Sequence, residues 1–334
     1  MKAAILTQYS KDNLNLTITE QPVPTIKPND VLVQVKAAGV NPLDNMITCG
    51  EVKVMVPYEL PAIMGNELAG VVTAIGEKVT KFQVGDRVFG RLPLEKIGAF
   101  AEYVAVDQAA LAIIPDYLNF EQAAAIPLTA LTAVQALELM QVKSGKTIFI
   151  SGGTGGLGAM AIPIAKAKGL TVITNGNGQN EARVLALGAD QFIDYQKQDY
   201  TEVLADIDYV LDTLGGKEVA KQFSILKTGG KLVSLKGGPN KAFAERLKLP
   251  FIKKVLFSLV GRQNDRLAKA KGATYDFIFV ESNGSQLQEV ANLFETLQLH
   301  PSIDTIYSFD QLNQALDKVA NGRSSGKTII TFSN

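Results

Sequence analysis

Residues 151–158 read SGGTGGLG, flanked by the apolar run Thr147 to Ser151 (TIFIS) and by an Ala- and Ile-rich stretch from Leu157 to Lys168. A glycine-dense turn directly between a strand and a helix leaves a chain few architectures. Within it, Gly153, Gly155 and Gly158 keep the spacing that permits a tight turn, a close backbone approach to a pyrophosphate and close packing of helix on sheet. The start of the following helix would then present free N–H groups to phosphates. A second strand, Leu170 to Thr174 (LTVIT), and a second helix, Asn180 to Leu187, follow. The runs Asp208 to Asp212 (DYVLD) and Lys231 to Leu235 (KLVSL) continue the series. Strands alternating with helices predict a doubly wound parallel sheet that binds a dinucleotide. Pro163 falls inside the first helical pattern, where it is expected to kink the helix or to lie in its tolerant first turns.

The dinucleotide is specified at the end of the second strand. A carboxylate there receives the adenosine ribose hydroxyls of NAD and repels the extra phosphate of NADP. This chain reads TVITNGNGQNEAR: Asn175 takes that place and the first acid is Glu181. NADPH is therefore the expected cofactor, ahead of NADH. Asn175, Asn177, Asn180 and Arg183 are candidates to bond the 2′-phosphate, with Tyr195 nearby; for Arg183, a solvent-facing helix position is the equal alternative.

The first third differs in character. Asp30 to Lys36, Leu68 to Ile75, Asp86 to Phe89 and Phe100 to Val106 are short β-branched runs separated by Pro, Gly and Asn, the pattern of a mostly antiparallel β-domain. From Asn119 to Met140 the chain turns Ala- and Leu-rich, predicting helices in spite of Pro127. A length of 334 residues also favours two domains over one core. The expected division is 1–120 with 284–334 as a discontinuous β-domain, and 121–283 as the nucleotide domain. Residues 239–274 interrupt the strand-helix rhythm with a basic, apolar helical insert, read either as a lid over a substrate pocket or as a helix packed on the domain or dimer surface. Tyr275 to Ser282 (YDFIFVES) is expected as an edge strand able to pair with a twofold copy, giving a homodimer.

Lys plus Arg and Asp plus Glu both total 33, so the net charge is zero, no basic bias points to nucleic acid or to an anionic membrane, and neither is expected as a partner. The N-terminal apolar run is too short for a signal-peptide core and no stretch has the roughly 18 apolar residues of a membrane span. A lone cysteine, Cys49, cannot form an internal disulfide. It is either a small packed side chain or a reactive thiol. These features suit the cytoplasm.

Further motifs run the length of the chain: AAGVNPLD at 37–44, PAIMGNELAGVVTAIGEKVTKFQVGDRVFG at 61–90, GAFAEYVAV at 98–106, AAAIPLTALTA at 123–133, LGAD at 187–190 and VLDTLGG at 210–216. With SGGTGGLG, they closely resemble the medium-chain dehydrogenase/reductase family, in its quinone and enone (2-alkenal) oxidoreductase branch. The resemblance implies a partly open GroES-like β-domain around an inserted Rossmann domain, with cofactor and substrate in the cleft between them. Zinc-dependent members carry a cysteine after AAG and a histidine in a GHE motif; here stand Asn41 and Gly65-Asn66-Glu67, and no structural zinc lobe lies between Phe89 and Phe100. Tetrahedral zinc lacks its ligands, so no metal is expected. Asp44 and Glu67 persist as family-like carboxylates, read as hydrogen-bond anchors for loops.

Carried over position by position, the resemblance implies that Asn41 and Thr129 touch the nicotinamide end. Ser151, Gly152, Gly153, Thr154, Gly155, Gly156 and Leu157 would hold the pyrophosphate. Asn175, Asn177 and Tyr195 would lie at the adenosine phosphate, and Leu214, Lys236, Gly237 and Gly238 along the nicotinamide side. Arg323 or Lys327 would close from the tail. The lysine that the branch commonly carries after the second strand is replaced by Asn180. The implied reaction is NADPH-dependent hydride transfer to a quinone, an enone or a 2-alkenal. Tyr58 is the candidate proton donor, against an ordinary loop tyrosine. A 2-enoyl thioester reductase, with Lys248, Lys253, Lys254 and Arg262 meeting an anionic carrier, is the alternative enzyme; a non-catalytic NADPH-binding protein is the alternative from another class.

Overall fold

The computed structural model describes residues 1–11, 14–322 and 325–332. The chain divides into two compact units, Met1–Leu131 with Glu281–Asn334, and Thr132–Val280. The expected joints, at 120/121 and 283/284, thus lie some residues away from those observed, at 131/132 and 280/281.

The first unit opens with β1 (Lys2–Leu6), β2 (Thr17–Glu20), β3 (Asp30–Val40), α1 (Pro42–Thr48), β4 (Ala62–Ile63) and β5 (Glu67–Ile75). It continues with β6 (Arg87–Arg91), β7 (Tyr103–Asp107), β8 (Leu111–Ile113), α2 (Phe120–Ala124) and α3 (Pro127–Met140), which carries the chain into the second unit. There follow β9 (Thr147–Ile150), α4 (Gly156–Ala167), β10 (Thr171–Gly176), α5 (Glu181–Ala186), β11 (Gln191–Asp194), β12 (Ile207–Asp212), α6 (Glu218–Ile225) and β13 (Leu226–Ser234). Three helices, α7 (Lys241–Arg246), α8 (Phe251–Val260) and α9 (Arg262–Lys271), precede β14 (Thr274–Phe277). The first unit is then completed by α10 (Gly284–Leu297), β15 (Ile303–Ser308), α11 (Leu312–Asn321) and β16 (Lys327–Thr331).

Strand β3 is the spine of the first unit. Val31, Val33 and Val35 alternate along it and are fully buried, the period-two pattern of a strand with one face in a core. It pairs antiparallel with β5, β7 and β16, in a sheet ordered β15-β16-β3-β5-β6-β8 with β7 joined to β3. The core beneath it includes Met64, Phe100, Phe309 and Phe332, so both chain segments of the unit contribute.

In the second unit six parallel strands run in the order β11-β10-β9-β12-β13-β14. The chain leaves β9 outward through β10 to β11, then returns to β12 on the other side, so the order reverses beside β9, where α/β sheets bind ligands at the carboxyl ends of their strands. The GroES-like and Rossmann architecture is as expected. Of the two places expected for Pro163 the chain takes the helix interior, among the buried residues of α4. Two details differ. Strand β13 starts at Leu226, five residues before the apolar run that marks it in sequence. The run Tyr275 to Ser282 yields only β14: after Phe277 the chain makes one more bond, Ile278 N–H to the Ser234 carbonyl, then leaves the sheet toward Asn283, whose side chain caps α10.

Candidate active site

The turn after β9 is built from backbone. Gly152 has φ +70, in the left-handed region that favours glycine. A Cβ on Gly153 would stand 2.1 Å from Thr174 Oγ1, and one on Gly158 would stand 2.4 Å from the Gly152 carbonyl oxygen. Position 155, by contrast, is open: its nearest neighbour would be 3.5 Å away. The cramped glycines are thus 152, 153 and 158. Gly155 serves as the N-cap of α4, and no side chain caps that helix. Its first-turn N–H groups and the positive end of its dipole are left to an anion.

Around the turn, the candidate residues fall into two sets. Ser151 is buried, and its hydroxyl accepts from Thr213 N–H at 2.9 Å, tying the glycine turn to the loop after β12. Leu214, in that loop, is 46% exposed. Asn175 is buried and its side-chain oxygen accepts from Gly152 N–H at 2.8 Å. The side chain thereby braces the turn. Asn177 is half-buried and accepts from Gln179 N–H at 3.0 Å, holding a local turn. Arg183 does not simply face solvent. Its Nη2 reaches back to donate to the Thr154 carbonyl at 2.8 Å, and burial lowers its pKa from the ordinary guanidinium value. Tyr195 follows β11 with its ring 58% exposed, its N–H bonded to the Gly176 carbonyl at the end of β10.

One carboxylate that the sequence reading passed over organises the far side of the turn. Asp212, fully buried at the end of β12, accepts from Leu214 N–H and Gly215 N–H, both at 3.0 Å, and from Gln222 Nε2 at 2.9 Å. Its other oxygen accepts from the Ser234 hydroxyl at 2.5 Å. Ser234 Oγ in turn accepts from Lys236 N–H and Gly237 N–H, while Asn264 donates to the Gly237 carbonyl and Tyr275 to that of Gly238. The loops 213–216 and 235–238 therefore hang from one buried acid. Its signal was visible as the last letter of DYVLD, an acid ending an apolar strand.

In the first unit a closed polar cluster forms where β3 ends. Asn41 caps α1 and Pro42 opens that helix, a position that has no need of an N–H. Because Thr328 pairs with Val40, Lys327 comes up beside Asn41. Its ammonium contacts Glu67 Oε1 and donates to Asn41 Oδ1, both at 2.5 Å. Glu67 also accepts from Asn41 Nδ2 at 2.8 Å and from Leu128 N–H, in the first turn of α3, at 2.7 Å. Asp44 accepts from Asn66 Nδ2 at 2.7 Å and from Asn41 N–H at 2.8 Å. Burial pushes the Asp44 carboxyl up to about 7; the Glu67 charge adds to this, while the two hydrogen bonds and Lys327 oppose it. Thr129 turns its hydroxyl to the carbonyls of Ala125 and Ile126. Lys327 thus lies inside this cluster; Arg323, the alternative closing cation, falls outside the described residues.

Beside the cluster lies Arg91, unremarked in the sequence reading. It is paired with Glu67 across β5 and β6 and fully buried. Nη1 donates to the Leu92 carbonyl at 2.7 Å, whereas Nε and Nη2 meet no acceptor among the described residues. Desolvation lowers its pKa to about 10. Tyr58, whose charge couples to Arg91, donates its hydroxyl proton to the Leu94 carbonyl at 2.7 Å, and burial raises its pKa to about 12. Tyr58 is therefore anchored, with its proton committed to Leu94 and its acidity weakened by burial.

Zinc does not fit here. Asn41 and Asn66 occupy the ligand positions, a lysine ammonium fills the centre of the cluster, and the described residues contain no group of three His, Cys, Asp or Glu side chains able to hold a metal. A dinucleotide does fit the second unit, through the cramped turn and the uncapped α4.

Comparison with known proteins agrees with this class of protein. The alcohol dehydrogenase GroES-like domain family matches residues 27–116, and the family described as zinc-binding dehydrogenase matches residues 187–330. The 2-methylene-furan-3-one reductase of Solanum lycopersicum is 30% identical over 99% of this chain and 79% of its own length. Among solved structures, the quinone oxidoreductase of Coxiella burnetii aligns with TM-score 0.83 and 29% identity over 99% of both chains. An alcohol dehydrogenase superfamily protein of Novosphingobium aromaticivorans aligns with TM-score 0.84 and 33% identity over 100% of both. The chain belongs to the medium-chain dehydrogenase/reductase family and is an oxidoreductase.

Proposed function

We propose that the protein is an NADPH-dependent, zinc-independent reductase of quinones or α,β-unsaturated carbonyls. The observation that carries this reading is the end of β10. The last residues of the strand, Asn175 and Gly176, carry no carboxylate; Asn175 is turned into the glycine turn, and the Arg183 guanidinium donates to the Thr154 carbonyl. Asp194, which ends the neighbouring β11, is engaged by Lys197 and by the Gln196 N–H. That leaves a cation beside the place of the adenosine ribose and no carboxylate on β10 itself to repel a 2′-phosphate. The reading is supported by the relatives' chemistry, since one reduces an enone and another is a quinone oxidoreductase.

Bound reduced nicotinamide would supply the hydride for the electron-poor carbon of the acceptor. The chain's own contribution is to orient the reactants and to receive the charge that develops on the acceptor oxygen. The 213–216 and 235–238 loops, fixed by Asp212, hold the nicotinamide side. Twofold pairing along β14, which ends the sheet, is the proposed mode of self-association, and a monomeric mass in solution would sink it. The function itself is tested by NADPH and NADH consumption against a quinone, an enone, a 2-alkenal and an enoyl thioester, with and without chelator. Chelator-insensitive turnover favouring NADPH is expected. Tight NADPH binding without turnover on any acceptor would replace this reading with that of a cofactor-binding protein.

A further inference from the structure

Helix α8 is amphipathic the wrong way round. Phe251, Val255 and Leu259 form one row along it and Ile252, Leu256 and Val260 the adjacent row, and all six are exposed, Phe251 and Ile252 by 79% and 80%. The lysines of the same helix, Lys253 and Lys254, are only half-exposed on its flank. Phe257 alone is buried, its ring set edge-on to Phe243 of α7. A row of large apolar side chains facing water is a face that something covers.

Charge identifies the covering partner. The whole chain carries 33 basic and 33 acidic residues, yet residues 239–274 hold nine bases against two acids, Glu245 and Asp265. The even total conceals a segment with a surplus of seven positive charges. Of those bases, Lys241 pairs with Glu245 and Arg246 with Asp276. Lys248, Lys253, Lys254, Arg262, Arg266 and Lys269 make no ion pair among the described residues. Covering by a second copy through a twofold contact would lay this face on itself and bring like charges together. A helix with apolar residues outward and a fringe of unpaired bases is instead matched to an anionic lipid surface, lying in the interface with its apolar rows among the acyl chains and its bases at the headgroups.

We propose that α8 docks the protein on anionic phospholipid surfaces. Contact is peripheral, since no helix among the described residues is long and apolar enough to cross a membrane. The surface would be read by its negative headgroups, so neither turnover nor cofactor choice enters the argument.

Flotation of the full chain with vesicles tests this independently of catalysis. The probes are vesicles of phosphatidylcholine alone and with about a third phosphatidylglycerol, at low and high salt. Binding to the anionic vesicles at low salt, weakened by salt, is expected. Lys253→Glu/Lys254→Glu and Phe251→Ser/Ile252→Ser should each cut the partition by more than about tenfold, with melting temperature and NADPH consumption unchanged. Absence of wild-type binding to anionic vesicles at low salt overturns the proposal. So does unaltered vesicle binding by Phe251→Ser/Ile252→Ser, whether that variant loses mass in ultracentrifugation, which makes a second copy the cover, or shows a raised acceptor KM, which makes α8 a pocket lid.

Discussion

The glycine turn of the second unit and the polar cluster of the first are built by opposite means. The turn uses backbone, gives up side chains at Gly152, Gly153 and Gly158, and leaves the N-terminus of α4 uncapped. The cluster uses side chains, gathers Asn41, Asp44, Asn66, Glu67 and Lys327, and satisfies most of its polar groups internally. A site suited to phosphates is left unfinished; one whose centre is filled by a lysine ammonium is closed on itself. Function in the first therefore depends on space, and integrity of the second depends on charge balance.

The sharpest way to break that contrast is to unbalance the cluster. Lys327→Met leaves Glu67 buried without its cation and is expected to cost about 3–5 kcal/mol in denaturant melts; a loss below about 1 kcal/mol would mean the pair is dispensable. Next comes pH. The Asp44 carboxyl is held at about 7 in the folded protein against an ordinary 3.8, so between those values the native state keeps a proton that the unfolded chain has released. Stability should fall as pH rises through that window, by an amount on the order of a few kcal/mol, and level off above it. Asp44→Asn should flatten the dependence, and melts at several pH values read it directly. In the turn, Gly153→Ala places a methyl against the buried Thr174 and should weaken NADPH binding roughly ten- to hundredfold by fluorescence titration, with a loss of about 1–3 kcal/mol of stability in the same melts. Arg183→Gln should lower the preference for NADPH over NADH by about tenfold, measured as a ratio of kcat/KM values. Smallest is Tyr58→Phe: with its proton committed to Leu94, turnover should change less than about threefold while stability drops by about 1 kcal/mol. A collapse of turnover would restore Tyr58 as the donor.

The same contrast explains what could be read from sequence. The glycine turn is local, so its spacing, its strand and its helix stood within a dozen letters. The ground for the NADPH proposal was partly legible: the missing carboxylate at Asn175 was plain, but which way Asn175 points depends on a bond to Gly152 that no spacing reveals. The cluster was legible only as departures, asparagines at the two places where the resemblance implied zinc ligands in zinc-dependent members. Arg91 gave no local signal, since its meaning comes from standing opposite Glu67 in the ladder. Strand Tyr275–Ser282 was overread because an apolar run does not show where hydrogen-bond partners end. The basic character of residues 239–274 was plain in the sequence beside a total charge of zero; that the apolar rows of its middle helix face outward was not.

The division of the chain also sets an order of events at the ribosome. The second unit is one continuous segment, complete once residue 280 has emerged, whereas Asn41 must wait for a partner 286 residues later in the chain. With domains folding as units during synthesis at about 5–20 residues per second, the nucleotide-binding half is assembled while the N-terminal half is still short of β15 and β16. Until β16 is made, Glu67 has no lysine beside it, and β16 is the strand that brings one.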